Sequence, residues 1–210
     1  KQLLSYSIRN QKWNEVVRYL RIAGQFIQQL SEQSFFYVAN IISDELFSFE
    51  KDILCDEAKV PLAYLKYLVA DIKRMNDDYD EAERMFLELI DERILNHDQI
   101  LSCMECLSYI YNQLGENEKA IKMADKLLAE CKKKDETHKC VAEYIKAKNK
   151  SYDNDEKRLS ELNRVYCKVN KIDNRTITTN VVLEMAWYDH SKKMLKKIER
   201  LLQYPNIISY

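Results

Sequence analysis

The sequence predicts an all-α protein, and three observations carry that prediction. The first is a shortage of turn formers. The 210 residues contain two glycines and two prolines: Gly24, Gly115, Pro61 and Pro205. Average usage would put roughly 12% of a chain in these two types. Sheets joined by tight turns need residues that accept positive φ, which Gly does most cheaply. The second observation is apolar spacing at three and four residues. It is clearest in Ala120, Ile121, Ala124, Leu127, Leu128 and Cys131, which share one helix face. The third is the short polar clusters between periodic segments, Asn76-Asp77-Asp78 and Asp153-Asn154-Asp155, which make turns without glycine. The same shortage of glycine excludes the Gly-rich phosphate loops and the Gly-x-Ser-x-Gly nucleophile turn.

In chain order, the spacing predicts helices over 2–9, 13–30, 33–54, 58–76, 79–93, 98–114, 117–133, 137–150, 156–170, 175–189 and 190–203. The segment 33–54 reads either as one long helix or as two, broken near Ser43-Asp44. Pro61 falls in a first turn, where its missing N–H costs nothing. Gly115 follows a helix as a left-handed stop. Lys132-Lys133-Lys134 closes the helix from 117, against the negative end of its dipole. Asp173-Asn174 opens the next-to-last helix, where a short polar side chain can cap free amides.

Composition bounds the function classes. Hydrophobic content of 46% suffices for a continuous core, and 32% charged residues fit exposed helix faces. A net charge of −1 gives no global field for nucleic acid or acidic membranes, so neither is expected as a partner of this piece. No run approaches the ~18 apolar residues of a membrane span. Lys1-Gln2-Leu3-Leu4 is followed by polar residues rather than a signal-peptide core, so a cytoplasmic location is expected. The chain begins without Met on residues that read as helix interior, and is expected to be part of a longer polypeptide. Six cysteines (Cys55, Cys103, Cys106, Cys131, Cys140 and Cys167) lie mostly on apolar faces and read as reduced, buried small hydrophobes.

The chain contains a repeat. Val69-Ala70, Asp77-Asp78-Tyr79-Asp80-Glu81-Ala82, Phe86 and Leu89 align with Leu107-Ser108, Gly115-Glu116-Asn117-Glu118-Lys119-Ala120, Ala124 and Leu127. Ala82 and Ala120 are 38 residues apart; a fainter copy places Leu159 another 39 on, with Leu162 and Tyr166 behind it. A half copy near the start reads Trp13-Asn14-Glu15-Val16, Leu20 and Ala23. Met104, Leu107, Ser108, Tyr111, Gly115 and Ala120 make the pattern resemble the tetratricopeptide repeat. It departs in its period, in Met104 for the large aromatic, in Lys73 where Tyr111 sits in the next copy, and in the missing closing proline. The resemblance implies one domain over 1–210: a right-handed α-solenoid of antiparallel helix pairs with irregular 38–39-residue repeats, best over 58–133. Small residues would let paired helices cross closely, which buries Ala82 and Ala120.

Few residues suggest chemistry. Cys103-x-x-Cys106 and His138-x-Cys140 have the inventory of a zinc site, but both pairs fall inside helices and Cys103 and Cys106 lie on an apolar stripe, so no metal is expected. His97, His138 and His190 stand alone, and Arg93 with His97 is one residue short of a helical nuclease spacing. The acidic run from Asp71 to Glu92 reads as a solvated face. His190, Lys192, Lys193, Lys196, Lys197 and Arg200 form a basic stretch, with Leu195, Ile198, Leu201 and Leu202 on the other side of that helix. It reads as an amphipathic end helix or as a patch for an acidic partner or nucleic acid. Nucleic-acid readers interleave aromatics with such charges, whereas Trp187 and Tyr188 only precede these. No enzyme activity and no cofactor are expected.

The fourteen tyrosines offer the better lead. In tetratricopeptide-like stacks the first helix of each pair lines the concave groove. Carried over, Tyr64, Tyr67, Asp71 and Arg74 would neighbour Glu105, Tyr109, Asn112 and Gln113. Tyr brings contact area and a polar tip at low entropic cost, and Asn can hold a peptide backbone. Glu105 would repel a C-terminal carboxylate. Several of these tyrosines read equally well as core or plain surface. The expected function is a non-enzymatic protein- or peptide-binding scaffold or sensor region. The alternative is the ligand-sensing domain of a bacterial transcription regulator or signalling ATPase whose effector domain lies elsewhere.

Overall fold

The computed structural model describes residues 2–172 and 174–202; Asp173, Gln203 and Pro205 lie outside them. Eleven α-helices and no strand occur among the described residues. The chain divides into two compact units, Lys1–Ile110 and Tyr111–Tyr210. The first holds α1 (Gln2–Arg9), α2 (Trp13–Glu32), α3 (Phe36–Phe47), α4 (Lys59–Met75), α5 (Tyr79–Glu92) and most of α6 (His97–Gln113). The second holds α7 (Asn117–Glu130), α8 (Glu136–Asn149), α9 (Asp155–Val169), α10 (Arg175–Ala186) and α11 (Lys192–Leu202).

One backbone device recurs at four helix ends. Gln11, Ser34, Asp77 and Gly115 all take a left-handed conformation, with φ of 53°, 62°, 61° and 73°. In each, the next N–H reaches back five residues: Lys12 to Ser7 (2.8 Å), Phe35 to Leu30 (2.8 Å), Asp78 to Lys73 (2.9 Å) and Glu116 to Tyr111 (2.8 Å). That bond satisfies a carbonyl the ending helix leaves orphaned and turns the chain at once into the next helix. Five residues past each left-handed position lies a fully buried small or branched residue: Val16, Ala39, Ala82 or Ala120. Ala82 and Ala120 are thus buried as the repeat alignment requires. Only Gly115 takes this backbone without steric cost; the other three are polar residues, which the scarcity of glycine forces.

In the first unit α2 packs against α1, α3 and α4, α3 packs on α4, and α4 pairs with α5. The half copy at Trp13–Ala23 leaves the pairing of α2 open. Its packing makes it a first helix, joined to α3 through Ser34, with Ala39 in the place of Ala82. The sequence hides this because Ser34 is not glycine and the aromatics Phe35, Phe36 and Tyr37 read as continuous helix. Both expectations for 33–54 are therefore corrected. The helix starts at Phe36, runs unbroken through Ser43-Asp44 and stops at Phe47. Ser43 stays inside it by donating its hydroxyl to the Ala39 carbonyl at 2.6 Å. Single 3-10 turns at Glu50–Asp52 and Asp56–Ala58 follow and tuck Ile53, Cys55 and Ala58 into the core.

In the second unit α7 packs on α8, α8 on α9, α9 on α10, and α10 on α11 and α8. Helix α7 ends at Glu130, because Cys131 is extended. Lys132–Lys134 therefore lie beyond the helix rather than closing it; the Lys132 N–H donates to Asp135 instead (2.7 Å). Asn174 caps α10 as expected, accepting the Ile177 N–H at 3.1 Å, and Asn154 caps α9 through Lys157 (2.9 Å). The fainter third copy lacks the left-handed turn: Leu162, Val165 and Val169 fill the core, while Leu159 and Tyr166 are only half-buried. On α11 the core anchor is Met194, and Leu195 is exposed. Among the cysteines Cys55, Cys103 and Cys140 are buried, but Cys167 is exposed, so the buried reading does not extend to it.

Candidate functional site

In the first unit α4 packs against α2 and meets α6 at Asp71 and Cys106, and the α4 face at these contacts carries Tyr64, Tyr67, Asp71 and Arg74. Where α2 crosses α4, Gly24 faces the Tyr64 ring. A Cβ placed there would lie 3.6 Å from the Tyr64 ring. Tyr64 therefore lies across α2 and donates its hydroxyl to Gln28 Oε1 at 3.0 Å. Tyr67, one turn on, stacks on Tyr64 with centroids 6.3 Å apart and an interplanar angle of 22°. It meets the core residue Phe86 edge-on at 6.3 Å. Burial pushes its phenol well above the ordinary range; the neighbouring Cys106, Asp71 and Cys103 add to this, against a hydrogen bond from Ser102.

Asp71 and Arg74 occupy the next turn and neutralise one another. Arg74 donates through Nε (2.9 Å) and Nη2 (2.7 Å) to Asp71 Oδ1. Burial disfavours the guanidinium, but Asp71 beside it outweighs this and raises its pKa. Cys106 of α6 points its thiol at the same carboxylate oxygen at 3.8 Å, which brings α6 onto this face. Burial pushes the Cys103 thiol up to about 12 and Cys106 well above its ordinary value, with Asp71 contributing to both. These thiols are protonated at neutral pH and are not activated nucleophiles. Glu105 and Tyr109 are half-buried on α6. Asn112 (half-buried) and Gln113 (exposed) end the same helix but belong to the second unit.

Two features of this face escaped the sequence reading. Gln28 joins it because α2 packs on α4, which the helix spacing alone does not show. Lys66, on α4, is nearly buried, with its ammonium 2.5 Å from Glu88 and 4.0 Å from Glu92. The acidic run is thus only partly a solvated face. It also supplies counter-charges to Lys66, to Arg84 through Glu81 and Glu88, and to Lys73 through Asp78. Lys73 replaces the repeat's tyrosine by bridging Asp78 (3.7 Å) and Asp44 of α3 (3.4 Å). A signal was available in the sequence: Lys66 and Lys73 interrupt an apolar helix face, and a buried Lys calls for acids. Among the described residues no three His, Cys, Asp or Glu side chains gather as a metal site, and no helix is long and apolar enough to cross a membrane.

No protein-family model and no curated protein sequence matches the chain. Solved structures do. The chain is similar to a kinesin light chain-like protein of Podosopora anserina with nearly identical TPR-like repeats. The TM-score is 0.57 at 12% identity, covering 89% of this chain and 93% of that one. A single-substitution variant of the same protein aligns with a TM-score of 0.58 at 12% identity, over 89% and 92% of the two chains. The fold is therefore that of tetratricopeptide-like helical repeats, all-α and built from antiparallel helix pairs.

Proposed function

We propose that this protein is a non-enzymatic scaffold or sensor region that holds an extended protein or peptide segment on the first-helix face of the first unit, using Tyr64, Tyr67, Asp71, Arg74, Glu105 and Tyr109. Tetratricopeptide-like folds commonly serve as protein-interaction scaffolds. The observation that carries the reading is the Tyr64–Tyr67 stack with Gln28. These half-buried rings have fixed orientations and polar tips, so their conformational entropy is already spent before a partner arrives. Beside them Asp71 and Arg74 are already paired, so a segment laid on the face need not supply a charge.

The test begins by selecting short peptides on the full chain from a random library. Tyr64→Ala and Tyr109→Ala are then expected to weaken the selected peptides at least roughly tenfold, as interface aromatics do. Tyr64 is a better probe than Tyr67, whose packing on Phe86 couples it to stability. Peptides that ignore both tyrosine variants would refute this choice of surface.

A further inference from the structure

The near-zero net charge conceals a separation. Residues 1–110 carry twelve Lys and Arg against nineteen Asp and Glu, a net −7; residues 111–210 carry twenty-one against fifteen, a net +6. Within the second unit the excess is concentrated. Helix α11 has five Lys and Arg and one carboxylate, Glu199. By contrast Lys146, Lys148, Arg164 and Lys168 are satisfied by Asp125, Glu184, Glu161 and Glu143.

Several remaining cations are held by aromatic rings. Arg158 stands 5.2 Å from the Tyr152 ring centroid and 4.9 Å from that of Tyr188, and donates to the Tyr188 hydroxyl at 2.7 Å. Lys150 approaches Tyr152 at 5.9 Å. Eight residues along α9 from Arg158, roughly 12 Å by helical rise, Tyr166 carries Lys197 of α11 at 4.4 Å. Neither Lys150, Arg158 nor Lys197 has a carboxylate within ion-pairing distance among the described residues. Lys193 and Lys196 beside Lys197 are exposed, and burial together with Lys193 lowers the Lys197 pKa. Trp187, next to Tyr188, is 79% exposed.

Along the sequence these aromatics merely precede the lysines; in three dimensions they interleave with them. Ring contacts orient the cations without spending their charge, and the exposed Trp187 adjoins Tyr188 in the chain. A charged track with aromatic platforms is the arrangement that receives single-stranded nucleic acid, phosphates on the cations and bases on the rings. We infer that the α9–α11 face of the second unit binds single-stranded nucleic acid.

The test uses the full chain and a fluorescein-labelled oligothymidylate, followed by anisotropy across a salt series. Binding is expected at low salt, with a log–log slope of about −2 for three phosphates engaged. Lys193→Ala/Lys196→Ala, both exposed positions, should weaken it about tenfold and flatten the slope by about 1.4. Trp187→Ala should weaken it about tenfold with the slope unchanged, because stacking carries no counterion release. Circular dichroism of each variant should match the parent. Absence of binding at low salt overturns the inference. So does a polyglutamate of equal charge that binds as tightly, which would mark the face as a surface for acidic polypeptides. Equal affinity for duplex DNA, or indifference to Trp187→Ala, removes the role of the aromatics and also overturns it.

Discussion

Gly24→Ala should stabilise this protein, even though Gly24 is buried where two helices cross. The residue lies inside the 20-residue helix α2 with an ordinary helical backbone. A Cβ added there would meet Tyr64 Cδ1 at 3.6 Å, Tyr64 Cε1 at 3.7 Å and Leu68 Cδ1 at 3.9 Å. All three are ordinary van der Waals separations, so the methyl fills space without displacing a neighbour. Helix propensity then decides the sign: Gly costs about 1 kcal/mol relative to Ala in a helix interior, and the new contacts add a few tenths of a kcal/mol of dispersion. The expected gain of about 1 kcal/mol corresponds to a rise of about 2–4 °C in Tm for a chain of this length. Repeat arrays need not unfold in one step, so two probes are wanted: far-ultraviolet circular dichroism for all helices, and fluorescence of Trp13, which packs against the α2 core. Gly24→Leu is the counterpart; its branches must enter the Tyr64 ring, and it should destabilise by about 1–3 kcal/mol. A fall in the Trp13 transition on Gly24→Ala would refute the reasoning, because α2 and α4 would then lie closer than an alanine permits.

Three further outcomes follow from the same structure. Ser34→Gly should gain about 1 kcal/mol and Gly115→Ala should lose about as much in urea denaturation, since both hold a left-handed backbone and nothing lies within 4 Å of a Cβ at Gly115. Ala82→Leu or Ala120→Leu should cost about 1–3 kcal/mol by overpacking fully buried crossings; an unchanged melting temperature would break the repeat alignment. Glu88 is held below its ordinary value of 4.5, chiefly by the Lys66 ammonium. Its stabilisation is therefore present above that value and lost as acid protonates it through its lower folded pKa. Glu88→Gln should melt lower than the parent at neutral pH, with the gap closing as the pH falls below the ordinary carboxylate value; a gap independent of pH would exclude the Lys66 pairing as its source.

The sequence by itself determined the class of structure and much of its register. Two glycines and two prolines, with apolar residues at three- and four-residue spacing, leave helices as the way to satisfy the backbone. The Ala82 and Ala120 positions, the Gly115 stop and the Asn174 cap were legible because each rests on local chemistry. Tertiary structure decided what local chemistry leaves open. A left-handed turn on Ser34 is invisible in a segment otherwise rich in helix-compatible apolar residues; only the packing of α2 against α4 makes α2 a first helix and brings Gln28 to Tyr64. Lys66 and Lys73 look like flaws in an apolar face until the fold brings Glu88 and Asp44 to them. The same holds for Arg158 between Tyr152 and Tyr188, and for Lys197 on Tyr166. Sequence periodicity specifies which face of a helix is buried, but which charges and rings meet depends on helix crossings, and those are set by the summed packing of residues far apart in the chain.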